Sequence, residues 1–149
     1  MKRICTVCAR AGSKGVRGKN LRILNGLPLL AHSLRQAAAS GLFDAIALSS
    51  DSPEMLAVAK EYGATVLVDR PAEMATDTAA KLPVIRHCVA EAERVQGMTF
   101  DTCVDLDATS PLRAVEDVRA VVQLLEDSGA GNVITAMPAR RSPYFQLIE

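Results

Sequence analysis

Ile4-Cys-Thr-Val-Cys-Ala-Arg-Ala-Gly-Ser-Lys-Gly-Val-Arg-Gly-Lys-Asn20 joins an almost wholly apolar run to a loop carrying three glycines and four cations. Ile4 to Cys8 does not alternate with polar residues, which is the pattern of a strand covered on both faces. In the loop, Gly12, Gly15 and Gly18 let the backbone approach a ligand closely. Successive free N–H groups there form an anion-binding concavity, and Arg10, Lys14, Arg17 and Lys19 add forked or point-like donors around it. The chemistry is that of a phosphate site at the end of a buried strand.

Outward from this stretch, strands and helices alternate. Leu21 to Leu24 is extended and Asn25-Gly26 signals a turn. Pro28 fits a first helical residue, and Leu29, Leu30, Ser33, Leu34, Ala37 and Ala38 recur at helical spacing up to Gly41. Phe43 to Ser50 reads as a second strand, with Ser52-Pro53-Glu54 as cap, first turn and dipole-matched acid of a helix over Met55 to Tyr62 that stops at Gly63. Ala64 to Val68 is a third strand. A helix over Lys81 to Val95 tolerates Pro83 only in its first turn, and Asp77 or Thr78 lies close enough upstream to cap it. Thr102 to Leu106 is a fourth strand, Glu116 to Asp127 a helix, and Asn132 to Met137 a fifth strand. Apolar strands alternating with helices predict a three-layer α/β fold with a mostly parallel, Rossmann-like sheet. Ligands of such sheets gather beyond the carboxyl ends of the strands. That rule brings the first loop, Ser49 to Asp51, Asp69-Arg70 and Asp105 to Arg113 to one crevice. No internal repeat or linker divides the 149 residues, so they read as a single domain.

Net charge is zero, but its distribution is uneven. Residues 1–43 hold Lys2, Arg3, Arg10, Lys14, Arg17, Lys19, Arg22 and Arg35 and no acid, whereas all 17 Asp and Glu lie from Asp44 onward. One end of the molecule therefore attracts anions. Tyr62, Tyr144, Phe43, Phe100 and Phe145 are the only aromatic residues, and none interleaves with the basic stretch. Stacking platforms for a nucleic acid are thus missing, and a small phosphorylated ligand fits better. No apolar run approaches the length of about 20 residues that spans a bilayer. Arg10 interrupts the early apolar segment too soon for a signal peptide, so a soluble cytoplasmic protein with no membrane partner is expected. Cys5 and Cys8 form a CxxC, a spacing open to a redox pair or half a metal site. Within a strand, however, residues three apart point to opposite faces, which favours small buried hydrophobes. His32 and His87, without partners at ligand spacing, read as surface or packing residues.

Two phosphate-binding patterns are excluded by the glycine positions: neither GxxxxGK[ST] nor GxGxxG fits glycines at 12, 15 and 18. Four ordered motifs carry a resemblance instead. They are Ala9-Arg-Ala-Gly-Ser-Lys-Gly-x-x-x-Lys-Asn20, Leu24-x-Gly-x-Pro-Leu-Leu30, Arg70-Pro-Ala-Glu-x-Ala-x-Asp-Thr78 and Thr109-Ser-Pro-Leu-Arg113. Together they resemble the acylneuraminate (CMP-sialic acid) cytidylyltransferases, and so imply a sheet of the sugar nucleotidyltransferase type. The resemblance implies that CTP lays its triphosphate on the first loop and that the anomeric hydroxyl of a nonulosonic acid attacks the α-phosphorus. Pyrophosphate then leaves, with Mg²⁺ as the expected cofactor. It assigns Arg10 and Lys19 to the phosphates as catalytic residues. Ala11, Gly12, Ser13, Lys14, Asn20, Arg70 and Thr78 fall to the nucleotide, and Asp107 to the sugar. By its charge alone, Arg70 could equally pair with Asp69 or Asp77, and Asp51 could stabilise its turn or face the ligand.

Asp107 departs from the glutamine that sialic acid members of the family carry there. A carboxylate can accept from sugar hydroxyls or an amide N–H, or hold a metal ion. That leaves a legionaminic-type acid as plausible an acceptor as common sialic acid. Asp105 and Asp107 could also be a strand-end pair held by backbone N–H groups. The resemblance further implies that the family's Mg²⁺-binding aspartates lie beyond Glu149, that the domain is incomplete at its C-terminus, and that a full-length form is a homodimer. Within the same chemistry stand a CMP-Kdo-type or other sugar nucleotidyltransferase, and, outside it, a truncated nucleotide-binding module without activity.

Overall fold

The computed structural model describes residues 1–12 and 15–136. Its elements are β1 (Arg3–Cys8), β2 (Ile23–Leu24), β3 (Leu27–Pro28), α1 (Leu29–Ser40), β4 (Ala45–Ser50), α2 (Pro53–Glu61), β5 (Val66–Asp69), α3 (Lys81–Gln96), β6 (Thr102–Asp105) and α4 (Val115–Ser128). Four strands form a parallel sheet in the order β5-β4-β1-β6. Ile4 pairs with Ala45 on one side and Cys103 on the other. The chain therefore moves outward from β1 through β4 to β5, then returns to the opposite side of β1. The reversal between β1 and β6 is a topological switch point, where open α/β sheets bind ligands.

The period of two along β1 sorts its side chains between two cores. Cys5, Val7 and Ala9 pack with Leu30 and Leu34 of α1, Met55 and Ala59 of α2, and Val118 of α4. Ile4 packs on the other face with Ala45, Ala47, Val66 and Val68 and with Cys88 and Ala92 of α3. Three layers result, as the uninterrupted apolar strands require. Thr6 and Ser49 are fully buried within the sheet.

Local signals set most boundaries. The Met55 N–H donates to Ser52 Oγ at 3.3 Å, so the Ser52 cap expected from Ser-Pro-Glu forms. Gly41, Gly97 and Gly129, with φ of 68°, 65° and 63°, end α1, α3 and α4 in the left-handed region that glycine adopts without strain. Asn25-Gly26 closes the β2–β3 hairpin, with both residues at positive φ.

Three expectations are corrected. Pro28 pairs with Ile23 in the hairpin and precedes α1 with an extended ψ of 142°, so the helix opens at Leu29. Neither Asp77 nor Thr78 caps α3, whose N-cap is Ala80 with no side-chain hydrogen bond. The fifth strand does not form over 132–136, and Met137 lies outside the described residues. A short apolar run becomes a strand only where a sheet edge accepts its hydrogen bonds, and Ile134 is instead 61% exposed.

Candidate active site

The loops following β1 and β6 enclose a cleft of about 330 Å³ at the switch point. Cys8, Ala9, Arg10, Gly15, Lys19 and Asn20 line one side, and Asp107, Ala108 and Thr109 the other. Sequence positions about ninety residues apart thus face one another because β1 and β6 are hydrogen-bonded neighbours.

The first wall is built by extending the ladder past β1. The Ala9 N–H donates to Ser49 O at 3.0 Å, after which the chain leaves the sheet. The Asn20 side chain, buried in a short 3₁₀ turn over Lys19–Leu21, donates through Nδ2 to Arg10 O at 3.2 Å and ties the two ends of the loop together. Its Oδ1 is buried without a hydrogen-bond partner, an acceptor left over in the wall of the cleft. Two acids from later in the chain meet this loop. The Ala11 N–H donates to Asp51 Oδ1 at 2.9 Å, and the Arg10 guanidinium lies 2.6 Å from Asp77 Oδ1. Asp51, open in the sequence to stabilising its own turn or facing the ligand, instead braces the backbone of the first loop, forty residues earlier in the chain. Gly12 is exposed beside the Arg10 guanidinium, and Ser13 and Lys14 lie outside the described residues.

The second wall is fastened to α1. Ser33 Oγ donates to Asp107 O at 3.0 Å, and Gln36 Nε2 donates to the carbonyls of Pro111 and Arg113 at 2.7 and 2.8 Å. Arg113 completes the network by donating to Gln36 Oε1 at 2.9 Å. The Thr109-Ser-Pro-Leu-Arg113 motif is therefore partly a bracing device. It sets the loop on α1, where Ser33 is fully buried.

Asp107 Oδ1 accepts from the Thr109 N–H at 2.9 Å and from Thr109 Oγ at 2.8 Å. Burial alone would raise the Asp107 carboxyl, but these two bonds and the Lys81 ammonium hold it below the usual carboxylate range. Lys81 Nζ lies 2.7 Å from Asp105 Oδ2 and 3.5 Å from Asp107 Oδ2. Partial burial would lower the Lys81 ammonium, yet the two carboxylates raise it above its usual value. Thr6 Oγ donates to the other oxygen of Asp105 at 3.0 Å. Asp105 and Asp107 are thus a strand-end pair held by a lysine and two threonines.

Arg70 and Thr78 are not brought to this cleft. Arg70 is buried and spends its fork on one residue, donating from Nε to Ser49 Oγ at 3.1 Å and from Nη2 to Ser49 O at 2.7 Å. It pairs with neither Asp69 nor Asp77. Thr78 is exposed, its hydroxyl 3.4 Å from that of Thr76. Lys81, by contrast, went unread in the sequence. One signal pointed to it: a lysine opening a helix sits where the helix dipole disfavours a cation, so a local acid is needed to hold it there.

The cysteines divide as their strand positions predict. Cys5 is buried in the core, and that burial raises its thiol. Cys8 points to the other face, where a hydrogen bond with Cys88 lowers its thiol and raises that of Cys88. Among the described residues no group of three or more His, Cys, Asp or Glu side chains is arranged to hold a metal ion. Nor, among them, is any helix long and apolar enough to cross a membrane.

Similarity to known proteins follows the same segments. The family model described as cytidylyltransferase matches residues 4–144. "Post-translational flagellin modification protein B" of Campylobacter coli is 47% identical over 146 residues, which cover 98% of this chain and 62% of that protein. The "CMP-N,N'-diacetyllegionaminic acid synthase" of Campylobacter jejuni is 46% identical over the same shares of the two chains. This chain thus spans about 62% of the length of these curated relatives. A solved CMP:2-keto-3-deoxy-manno-octonic acid synthetase complexed with CTP superposes with a TM-score of 0.67 at 19% identity, over 87% of this chain and 49% of that one. At that identity the likeness establishes the α/β fold. With its sequence matched to the family from the first residues of β1 to beyond α4, the chain belongs to the cytidylyltransferase family.

Proposed function

We propose that the protein transfers CMP from CTP to a nonulosonic acid and releases pyrophosphate. The observation that carries this is the cleft at the switch point, with a glycine–cation loop on one wall and a fixed carboxylate on the other. The acceptor's anomeric oxygen attacks the α-phosphorus, the bond to the bridging oxygen of the β-phosphate breaks, and pyrophosphate leaves with the electron pair. The hydroxyl proton passes to solvent. Such transfer depends on positioning and on charge placed where the leaving group develops it.

In this reading Arg10 and Lys19 take the phosphates as catalytic residues, and loop groups at Gly12, Ser13 and Lys14 cradle them, whereas Ala11, whose N–H is given to Asp51, shapes the loop rather than donating to phosphate. Asn20 accepts from the nucleotide through its unpartnered Oδ1. Asp107 accepts from an N–H or O–H of the sugar. A legionaminic-type acceptor is preferred, because its acylamino groups offer donors to a carboxylate and the legionaminate-activating relative is close in sequence. Arg70 supports the nucleotide side from behind, by fixing the Ser49 backbone that in turn holds Ala9. Mg²⁺ bound together with CTP would supply charge to its phosphates. A homodimer located in the cytoplasm belongs to the same proposal.

Pyrophosphate release is the decisive measurement. The protein is incubated with CTP, Mg²⁺ and separately with legionaminic, pseudaminic, sialic and Kdo acids, with mass spectrometry for the CMP-sugar. Release with the legionaminic acid is expected. Release with Kdo alone would change the acceptor, and calorimetric CTP binding without release from any acid would leave only a nucleotide-binding module.

A further inference from the structure

We propose that Lys81 is the positioning residue of the acceptor wall, holding Asp105 and Asp107 as one unit so that Asp107 presents Oδ2 to a hydrogen-bond donor on the acceptor. The inference rests on the reading under Proposed function and adds to it a residue outside all four sequence motifs.

The geometry separates the two contacts that Lys81 makes. Its ammonium is tightly bonded to Asp105 at 2.7 Å, while Asp107 stands at 3.5 Å, too far for a strong hydrogen bond but well within Coulombic reach. Asp105 is the less exposed carboxylate, 18% against 51% for Asp107, and its second oxygen is taken by Thr6. Lys81 is therefore anchored on Asp105 and acts on Asp107 at a distance. Asp107 Oδ1 already accepts two bonds from Thr109, which leaves Oδ2 with hydrogen-bonding capacity toward the cleft it lines.

Charge explains why such an anchor is needed. Two carboxylates two residues apart repel each other and would also repel a triphosphate across the cleft. One ammonium leaves the Asp105–Asp107 pair with a single net negative charge, while the Arg113 guanidinium is directed at Gln36 Oε1 and the Asp107 carbonyl, at 2.9 and 3.4 Å. The exposed Asp107 carboxylate repels the acceptor's own carboxylate and attracts its N–H and O–H groups. In a 2-keto acid the carboxylate and the anomeric hydroxyl share one carbon, so the reacting end is turned toward Arg10 and Lys19 and the distal donors toward Asp107. Lys81 thus fixes which way round the acceptor lies, without touching the reacting atoms.

Steady-state kinetics of K81M and K81R test this, with CTP and the nonulosonic acid varied in turn. Loss of ground-state and transition-state contacts on the acceptor side alone should raise KM for the acid by about tenfold or more in K81M while KM for CTP moves less than about twofold. K81R should recover most of the loss. Equal rises in both KM values, no change in either, or K81R as impaired as K81M would overturn the proposal. Carboxyl ¹³C signals of Asp105 and Asp107, recorded on the same proteins, report on the pair independently of turnover. Both should shift in K81M, and unmoved signals would overturn the bridge even in a protein that releases no pyrophosphate. Signals that shift in K81M, together with a wild-type protein inactive with every acid, would support the bridge and remove the nonulosonic acceptor instead.

Discussion

The guanidinium of Arg10, the first cation after β1, lies 2.6 Å from the carboxylate of Asp77, in the segment between β5 and α3. A triphosphate seated on the loop must compete with that carboxylate. Both side chains are partly exposed, at 32% and 40%, and pairs of this kind contribute about 0.2–1 kcal/mol. Asp77→Asn is expected to tighten CTP binding by up to about fivefold, and Arg10→Ala to weaken it by more. Calorimetry at fixed ionic strength reads both, and weaker binding in Asp77→Asn would place Asp77 on the nucleotide instead.

Arg70 is expected to be a matter of stability before it is one of affinity. It is only 6% exposed and donates twice to Ser49. Hydrogen bonds from a charged donor are worth about 1.5–3 kcal/mol, so Arg70→Ala should lower the urea midpoint by a loss in that range with the slope unchanged. Arg70→Lys keeps the charge without the fork and should recover only part. An unchanged midpoint with weakened CTP binding would assign Arg70 directly to the nucleotide.

Thiol reactivity should run against simple exposure. Cys103 is exposed, yet partial burial of its sulfur pushes it up to about 11, whereas the hydrogen bond with Cys88 lowers the half-buried Cys8 from its ordinary value. The thiolate is the reactive form. Iodoacetamide at mildly alkaline pH should therefore label Cys8 before Cys103, and CTP should slow labelling of Cys8 because it lines the cleft. Peptide mapping by mass spectrometry decides, with faster labelling of Cys103 as the contrary result.

Acid should loosen the second wall. The Asp107 carboxyl is lower in the folded protein than in the unfolded chain, so the stability it contributes is present above the unfolded value of about 3.9 and is lost as pH falls through the folded value. Asp44, Glu91 and Glu126 are lowered in the same direction and remain in an Asp107→Asn variant. The difference in thermal midpoint between wild type and variant isolates Asp107. It should be largest near neutrality and close below about pH 4, and a constant gap would contradict the assignment.

Legibility in the sequence followed the range of the interaction. Continuous apolar runs located β1, β4, β5 and β6 to within two residues, and Ser52 and Gly41 placed helix ends, because these signals act within a few residues of where they are written. The run at 132–136 misled for the complementary reason: a strand depends on a partner edge that its own residues do not encode. Asp77 misled similarly. Its position suited a helix cap, but an arginine sixty-seven residues earlier in the chain claimed the carboxylate.

By itself the sequence determined the alternation of strand and helix, the cysteines' division between two faces, and a loop whose glycines and cations suit phosphate. It presented that loop as purely basic, since no acid precedes Asp44. Only the tertiary structure decided what faces it. Strand order 5-4-1-6 puts the ends of β1 and β6 side by side, supplies Asp51 and Asp77 to the loop, and delivers Lys81 to Asp105 and Asp107. Charge pairing depends on distance in space, and distance between remote residues is fixed by the order in which strands pair.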